Sequence, residues 1–195
     1  MTARLDFTFP RRWHAEILPA RPLILPPRRF TYPSDADEVE RGALEVMVRP
    51  ANGAPLLATF ALGFADPSAP TGLWSCPHPD ELCAVAGGYA YAVDTRDPRR
   101  FTHLSFRPVL EIRPVSGLGL LVMAGSHAIL AWGKNGLAWQ TGRLSSEGLR
   151  IAEVAGSTMH GFGWDVMTDR EVPFAIDLRT GEPIGGPLPQ SASTR

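Results

Sequence analysis

The sequence predicts an all-β fold with little helix, and three observations support this prediction. Glycine and proline are abundant, with 19 residues each in a chain of 195, so the chain is interrupted too often for a helical bundle or a coiled coil. Several short segments place apolar residues at every second position, the pattern of a half-buried strand. Residues 115–172 hold ten glycines and no proline, as expected of central strands that use every backbone donor. With 44% hydrophobic residues, the chain can form one core, and we expect a single domain over residues 1–189.

The first third of the chain is predicted to be a Pro-rich arm followed by a hairpin. Residues 1–41 carry six prolines within their first 33 positions, which excludes a central strand and indicates an extended arm with edge strands at most. Within residues 42–62, every second position from Leu44 to Val48 is apolar, and the alternation resumes after Asn52-Gly53. Because Asn-Gly accepts the backbone angles of a tight turn, this segment is predicted to be a β-hairpin.

An internal repeat runs through residues 73–186. The segments Leu82–Asp94 and Leu120–Trp132 show the same order of features at an offset of 38 residues: an apolar strand, a small-residue turn and a second apolar strand. A looser third copy begins at Met159 and continues in Phe174–Asp177. We therefore predict antiparallel repeat sheets, arranged as an incomplete propeller-like stack or an irregular β-sandwich.

The repeated order of strand, turn, strand and polar turn resembles the blades of β-propellers, in particular those of the quinoprotein type. The blade tryptophan that usually follows the polar turn is present at Trp139 and absent after Gly181, and 195 residues accommodate at most four blades. Residues 74–94 and 132–181 also resemble an uncharacterised group of bacterial cytosolic proteins, from which no activity carries over. The propeller resemblance implies a rigid scaffold that displays loops. It implies no quinone or calcium site, because the residues that would carry one have no match.

Charge and hydropathy argue against nucleic acid and membranes as partners. The chain has 19 basic and 20 acidic residues, so no overall field favours nucleic acid or an anionic membrane. No segment is long and apolar enough for a transmembrane helix, and the N-terminus lacks the apolar run of a signal peptide. We expect a cytoplasmic protein without a cofactor, with reduced thiols at Cys76 and Cys83. The tail at residues 190–195 is expected to be disordered.

No motif specifies a metal or catalytic site. Cys76 and Cys83 are seven positions apart without a second pair, whereas structural zinc sites need four ligands, usually at tighter spacing. A triad of Ser157, His160 and Asp165 can be proposed from residue types, but the chain lacks the Gly-x-Ser-x-Gly elbow that would support it. We expect neither metal binding nor nucleophilic catalysis from these residues.

The sequence favours a non-catalytic protein-binding module. Aromatic residues in irregular loops either fix the loop or serve as anchors for a partner. Residues 63–81 are predicted to be a Pro-rich loop, and the recognition surface is expected in the two Pro-rich regions, at Arg12, Trp13, Trp74 and His78. The expected partner is another protein, and a toxin-neutralising or defence-associated role is one concrete version of this hypothesis.

The alternative from another class is a small enzyme or a small-ligand binder. Its pocket would lie near His160, Trp164 and Asp165, with Asp169 and Glu171 as further carboxylates for acid–base or cation chemistry. A polar turn between two strands also explains these three carboxylates. A deep pocket lined by converging side chains of this set would favour the enzyme, whereas exposed loop tryptophans would favour the binding module.

Overall fold

The computed structural model describes residues 3–34, 41–63 and 69–185, and almost all regular structure in these residues is β-strand. In chain order the strands are β1 (Arg4–Asp6), β2 (Trp13–Ile17), β3 (Arg29–Tyr32), β4 (Ala43–Pro50), β5 (Leu56–Ala61), β6 (Gly72–Ser75), β7 (Glu81–Ala86), β8 (Tyr89–Asp94), β9 (Phe101–His103), β10 (Glu111–Val115), β11 (Leu120–Ala124), β12 (Ile129–Gly133), β13 (Gly136–Gln140), β14 (Leu149–Ala155), β15 (Thr158–Asp165) and β16 (Arg170–Asp177). One turn of 3-10 helix lies at Ser116–Leu118. The predicted all-β fold with little helix is confirmed.

The strands are divided between two compact units, unit 1 (Met1–Val109) and unit 2 (Leu110–Arg195). Unit 1 contains β1 to β9 in two sheets, and unit 2 contains β10 to β16 in two further sheets. Each unit has a hydrophobic core that takes side chains from both of its sheets. A single domain over residues 1–189 stays a prediction, and the tail at 190–195 lies outside the described residues.

The first sheet of unit 1 has the strand order β2-β4-β5-β3. β4 and β5 form the predicted antiparallel hairpin, with Val46 opposite Ala58. In the turn between them, Gly53 has a φ of 136°, which residues with a side chain rarely adopt. β2 and β3 come from the Pro-rich arm and occupy the two edges of the sheet, where missing backbone donors are tolerated. The arm therefore supplies edge strands, and its β3 pairs in parallel with β5.

The second sheet of unit 1 is an antiparallel meander of β6 to β9, with β1 added in parallel beside β6. The hairpin of β7 and β8 turns at Gly87 and Gly88, which both have a positive φ. The prediction of a loop over residues 63–81 is wrong for Gly72–Ser75, because these residues form β6, which pairs with β7 and β1 and is buried throughout. The sequence hides this strand because it is only four residues long and prolines stand close to it on both sides.

Aromatic side chains fill the core between the two sheets of unit 1. Tyr32 stacks on Phe60 with ring centroids 5.0 Å apart, and Phe60 lies 5.5 Å from Tyr91 in the other sheet. The Tyr32 hydroxyl donates to Pro98 O at 2.8 Å. Burial raises the pKa of Tyr32 well above its usual range, so this hydroxyl keeps its proton and its hydrogen bond.

Unit 2 is built from two antiparallel sheets, β10-β11-β12-β13 and β14-β15-β16. All residues of β11 and β12 are buried. In β15 the buried positions are Met159, Gly161 and Gly163, and the positions between them are half-buried, as the alternation of a strand requires. The buried core of the unit includes Val122, Ile129, Leu144, Ile151, Met159, Ile176 and Leu178.

The internal repeat corresponds to the antiparallel sheets. Its first two copies form the hairpins β7–β8 and β11–β12, and each hairpin is followed by one further strand, β9 or β13. The third copy forms the hairpin β15–β16, with His160 opposite Ala175. A single bridge from Ile176 to Pro183 stands where a fourth strand would follow. None of the sheets closes on itself within the described residues, and the fold is consistent with a propeller-like or sandwich arrangement.

Candidate recognition surface

The structure brings three of the four predicted recognition residues together in unit 1. The Arg12 N–H donates to Pro79 O at 2.8 Å, and the Trp13 Nε1–H donates to Glu81 O at 3.2 Å. His78 directly precedes Pro79 in the same segment. These bonds join the Pro-rich arm to the turn that leads into β7.

The two tryptophans of the predicted surface are buried in strands, and their predicted placement in loops is wrong. Trp13 begins β2 and is 4% exposed, while Trp74 lies in β6 and is 1% exposed. Trp13 packs edge-on against Phe7 with ring centroids 5.5 Å apart. The Trp74 Nε1 is buried without a hydrogen-bond partner among the described residues. Both side chains contribute to packing, so an exposed anchor has to be sought elsewhere on the surface.

A buried carboxylate, that of Asp80, lies at the centre of the region around Arg12. Asp80 Oδ2 is 3.4 Å from Arg12 Nη1 and 3.9 Å from Arg96 Nη1. Thr95 donates its backbone N–H and its hydroxyl to the Asp80 carbonyl. A cavity of about 100 Å³ beside these groups is also lined by Asn52. Ligand pockets usually enclose ~300–1,000 Å³, so this cavity is small for an organic ligand. The ion pairs of Asp80 with Arg12 and Arg96 join three loops of unit 1.

The residues of the alternative pocket lie on the β15–β16 hairpin of unit 2. His160 and Trp164 share one face of β15, since they are an even number of positions apart on a strand. Asp165 Oδ1 accepts the Met167 N–H at 3.0 Å, and Asp169 has a φ of 53°, in the left-handed region. Both aspartates therefore shape the turn between the strands, as aspartates commonly do.

Glu171, on the same hairpin, forms an exposed ion pair with Arg150 of β14. Its Oε2 lies 3.5 Å from Arg150 Nη2, and both side chains are more than half exposed. Glu171 lies opposite Trp164 in the register of β15 and β16. Trp164 is four positions from His160, which corresponds to ~13 Å along the strand. The five residues therefore lie along one hairpin without converging, and none of them lines the groove of about 670 Å³ that unit 2 contains.

The two cysteines are free thiols with no exposed surface. Burial raises the pKa of the Cys76 thiol well above its ordinary value, and a hydrogen bond with Cys83 acts in the same direction. A neutral, buried thiol is a poor nucleophile. In residues 3–34, 41–63 and 69–185, no three His, Cys, Asp or Glu side chains gather in a way that could hold a metal ion. No helix of these residues is long and apolar enough to cross a membrane.

The most exposed apolar side chains of the described residues lie in a loop that sequence reasoning missed. Leu23 and Ile24 are 102% and 91% exposed. They belong to residues 18–28, termed the display loop, which connects β2 to β3 and carries four prolines. The signal that could have found them is the presence of adjacent large aliphatic residues in a segment too rich in proline to enter a sheet.

Both ends of the display loop are fastened to the first sheet of unit 1. At its start, the Leu18 N–H donates to Glu45 O at 2.8 Å, and Arg21 Nη1 lies 3.5 Å from Glu45 Oε1. At its end, Arg28 Nη1 donates to Ala54 O at 2.7 Å. Fixed ends and a high proline content reduce the conformational freedom that a loop loses when its tip binds a partner.

Comparison with known proteins gives weak similarity to solved structures, among them two that contain Nup159. No family model and no curated protein matches the chain. The chain is similar to the N-terminal domain of Nup159 at 15% identity and a TM-score of 0.37, over 94% of this chain and 53% of that chain. A chain in the structure of a S. cerevisiae Dbp5 variant bound to Nup159, a Gle1 variant, IP6 and ADP is similar at the same identity and TM-score, with 51% of it covered. The chain spans about half the length of these solved chains.

Proposed function

We propose that this protein is a non-catalytic protein-binding module that contacts its partner through the display loop. The observation that supports this proposal is the nearly complete exposure of Leu23 and Ile24 at the tip of a loop with two fixed ends. Transfer of a large aliphatic side chain from water into an apolar site contributes ~1.5–3 kcal/mol. Two such side chains side by side therefore contribute ~3–6 kcal/mol toward binding a partner with an apolar pocket, against the cost of association that the rest of the interface must offset.

The charges near the display loop define the rim of the partner surface. Arg21 and Arg28 already hold the ends of the loop through Glu45 and Ala54, whereas Arg29, beside the loop, is exposed and forms no ion pair among the described residues. Complementary charge across an interface increases the rate of association and disfavours wrong partners. The partner surface that fits the loop is thus an apolar pocket with an acidic side chain on the side that faces Arg29.

The setting of this proposal is the bacterial cytosol, with a toxin-neutralising or defence-associated partner as its concrete form. The support for this setting is the resemblance of residues 74–94 and 132–181 to bacterial cytosolic proteins. A sheet that holds a loop by its two ends suits a protein that presents a binding segment.

The test of the proposal is a comparison of captured partners in the native cytosol, with quantitative mass spectrometry as the readout. The bait variant Leu23→Asp/Ile24→Asp replaces both anchors with charges. We expect recovery of the specific partner to fall at least ~tenfold, because desolvating a carboxylate in an apolar pocket is unfavourable. Calorimetry with the purified partner then measures the same loss as a change in Kd.

The control variant is Val166→Asp/Met167→Asp, which alters another exposed apolar pair, in the turn between β15 and β16. Both double variants change surface side chains and should keep the thermal stability of the wild type within ~0.5 kcal/mol. The control is expected to capture the same partner as the wild type. Equal capture by the display-loop variant would contradict the proposal, and so would an equal loss in both variants.

A further inference from the structure

Unit 2 contains a groove of about 670 Å³, a volume typical of small-molecule sites. One wall is the end of β10 together with the 3-10 turn, residues 113–118, and the other is the turn between β14 and β15 near residues 154–157. Arg179 also lines the groove. The display loop belongs to unit 1, so the groove is a second surface with its own chemistry.

The floor of the groove is apolar and firmly supported. Val115, Leu118 and Val154 are half-buried, line the groove and pack against the core of unit 2. Gly117 and Gly156 leave the space above the floor open, since no atom lies within 4 Å of the position that a Cβ would take at either residue. An apolar group can therefore lie on the three aliphatic side chains and displace water from them.

Two arginines line the groove, and their charges are balanced differently. Arg113 Nε donates to Glu111 Oε1 at 2.5 Å, so its charge is compensated by an adjacent carboxylate. Arg179 is exposed, donates from Nη1 to Ser157 Oγ at 3.3 Å, and forms no ion pair within the part of the chain that the structure describes. One positive charge is thus left to meet an anionic group at the edge of an apolar floor.

We infer that this groove binds a small organic monoanion with an apolar body, such as a monocarboxylate. The anionic group pairs with the guanidinium of Arg179, which is suited to hydrogen bonding two oxygens at once. The apolar body lies on Val115, Leu118 and Val154. A ligand with several charges fits less well, because Glu111 already compensates Arg113.

The inference is tested first with two probes of known chemistry. The fluorescent monoanion 8-anilinonaphthalene-1-sulfonate is titrated into the full-length protein, and decanoate or the uncharged decanol is then added as competitor. We expect saturable binding of the fluorophore. Decanoate should displace it at concentrations about tenfold lower than decanol does, because a hydrogen bond to a charged group lowers Kd by about this factor. Displacement by both competitors at equal concentration would overturn the assignment of the anion to Arg179.

Variants then locate the site. Arg179→Gln should weaken binding of the fluorophore and of decanoate about tenfold while leaving decanol unchanged. The matched control is Arg170→Gln, which removes an exposed arginine of unit 2 that does not line the groove. Equal affinity of Arg179→Gln and the wild type would overturn the inference.

Amide chemical shifts provide an independent location of the probe. Addition of decanoate to the ¹⁵N-labelled protein should shift the amide signals of Gly117 and Gly156, and shifts confined to other parts of the chain would contradict the site. The variant Leu23→Asp/Ile24→Asp should bind the fluorophore as the wild type does. Partner capture by the Leu23→Asp/Ile24→Asp variant therefore tests the display loop, and anion binding by Arg179→Gln tests the groove, so that one proposal can fail while the other holds.

Discussion

A single missing methyl group at Gly72 allows β1 to pair with β6. Gly72 is buried in β6 and stands opposite Arg4 in the parallel register. A Cβ at this position would lie 2.0 Å from Arg4 O and 2.8 Å from Arg4 C. These are backbone atoms of a paired strand, which cannot rotate away as the end of a long side chain could. The close approach of two backbones is thus the reason for glycine at this position.

We expect Gly72→Ala to lower the free energy of unfolding by ~1–3 kcal/mol, because the strand pair must separate to admit the methyl group. Urea denaturation followed by tryptophan fluorescence measures this change. Gly142→Ala is the matched control, since no atom lies within 4 Å of its Cβ position. The control should stay within ~0.5 kcal/mol of the wild type. A neutral Gly72→Ala variant would contradict the close pairing of β1 and β6.

The residues of the two Pro-rich regions are the ones whose burial the sequence predicts least well in this protein. The sequence does not reveal that Trp74 is buried, because a strand of four residues between prolines is too short to show an alternation of apolar and polar positions. The exposure of Leu23 and Ile24 is hidden for the complementary reason: a periodic pattern indicates which face of a strand is buried, but it carries no information about a segment outside a sheet. The two tryptophans predicted to contact a partner are therefore buried, and the most exposed apolar side chains of the described residues are Leu23 and Ile24.

At the scale of elements, the hairpin of β4 and β5 was predictable, whereas the pairing of its neighbouring strands was not. Alternation and the Asn52-Gly53 turn are local signals, and together they define the hairpin. The parallel pairing of β3 with β5 is non-local and depends on the path of the display loop. Glu45 illustrates the consequence, because its position in the alternation predicts an exposed residue, yet it is buried where the display loop begins.

Glu45→Ala is expected to destabilise the protein by ~1–3 kcal/mol. The Glu45 carboxylate accepts the Thr59 hydroxyl at 2.8 Å, and its removal leaves that buried hydroxyl without its acceptor. The control is Glu16→Ala on β2, whose carboxylate pairs with Arg49 at 3.6 Å and is 57% exposed, so its loss should cost ~0–1 kcal/mol. Thermal denaturation compares the two. Equal midpoints would contradict a stabilising role for the buried Glu45 carboxylate.

At the scale of the whole molecule, the distribution of glycine and proline agrees with the sheets. The stretch without proline, residues 115–172, contains β11 to β15, whose central strands use their backbone donors in ladders. The repeat predicted the hairpins because it is a property of each local segment. The division into two units has no such local signal, since an apolar residue does not indicate which core it will join.

A core substitution in unit 2 should therefore be detected most strongly within that unit. Met159→Ala removes a fully buried side chain from the core of unit 2, at a cost of ~2–5 kcal/mol. Hydrogen exchange measured by mass spectrometry should show faster exchange in peptides of β14 to β16. Met167→Ala, at an exposed position of the same hairpin, is the control and should leave exchange unchanged. Unchanged exchange in Met159→Ala would contradict the core assignment.

Because the display loop is attached at both ends, changes in the sequence of its tip should not alter the register of the sheet. Because Arg21 and Arg28 hold the two ends through Glu45 and Ala54, we expect β2 and β3 to keep their positions when the residues between these two arginines are changed. Loop-closure entropy grows slowly with length, at ~0.6 kcal/mol for each doubling. The tip can therefore accept foreign peptides, and this chain offers a natural position for grafting a new binding specificity onto an intact scaffold.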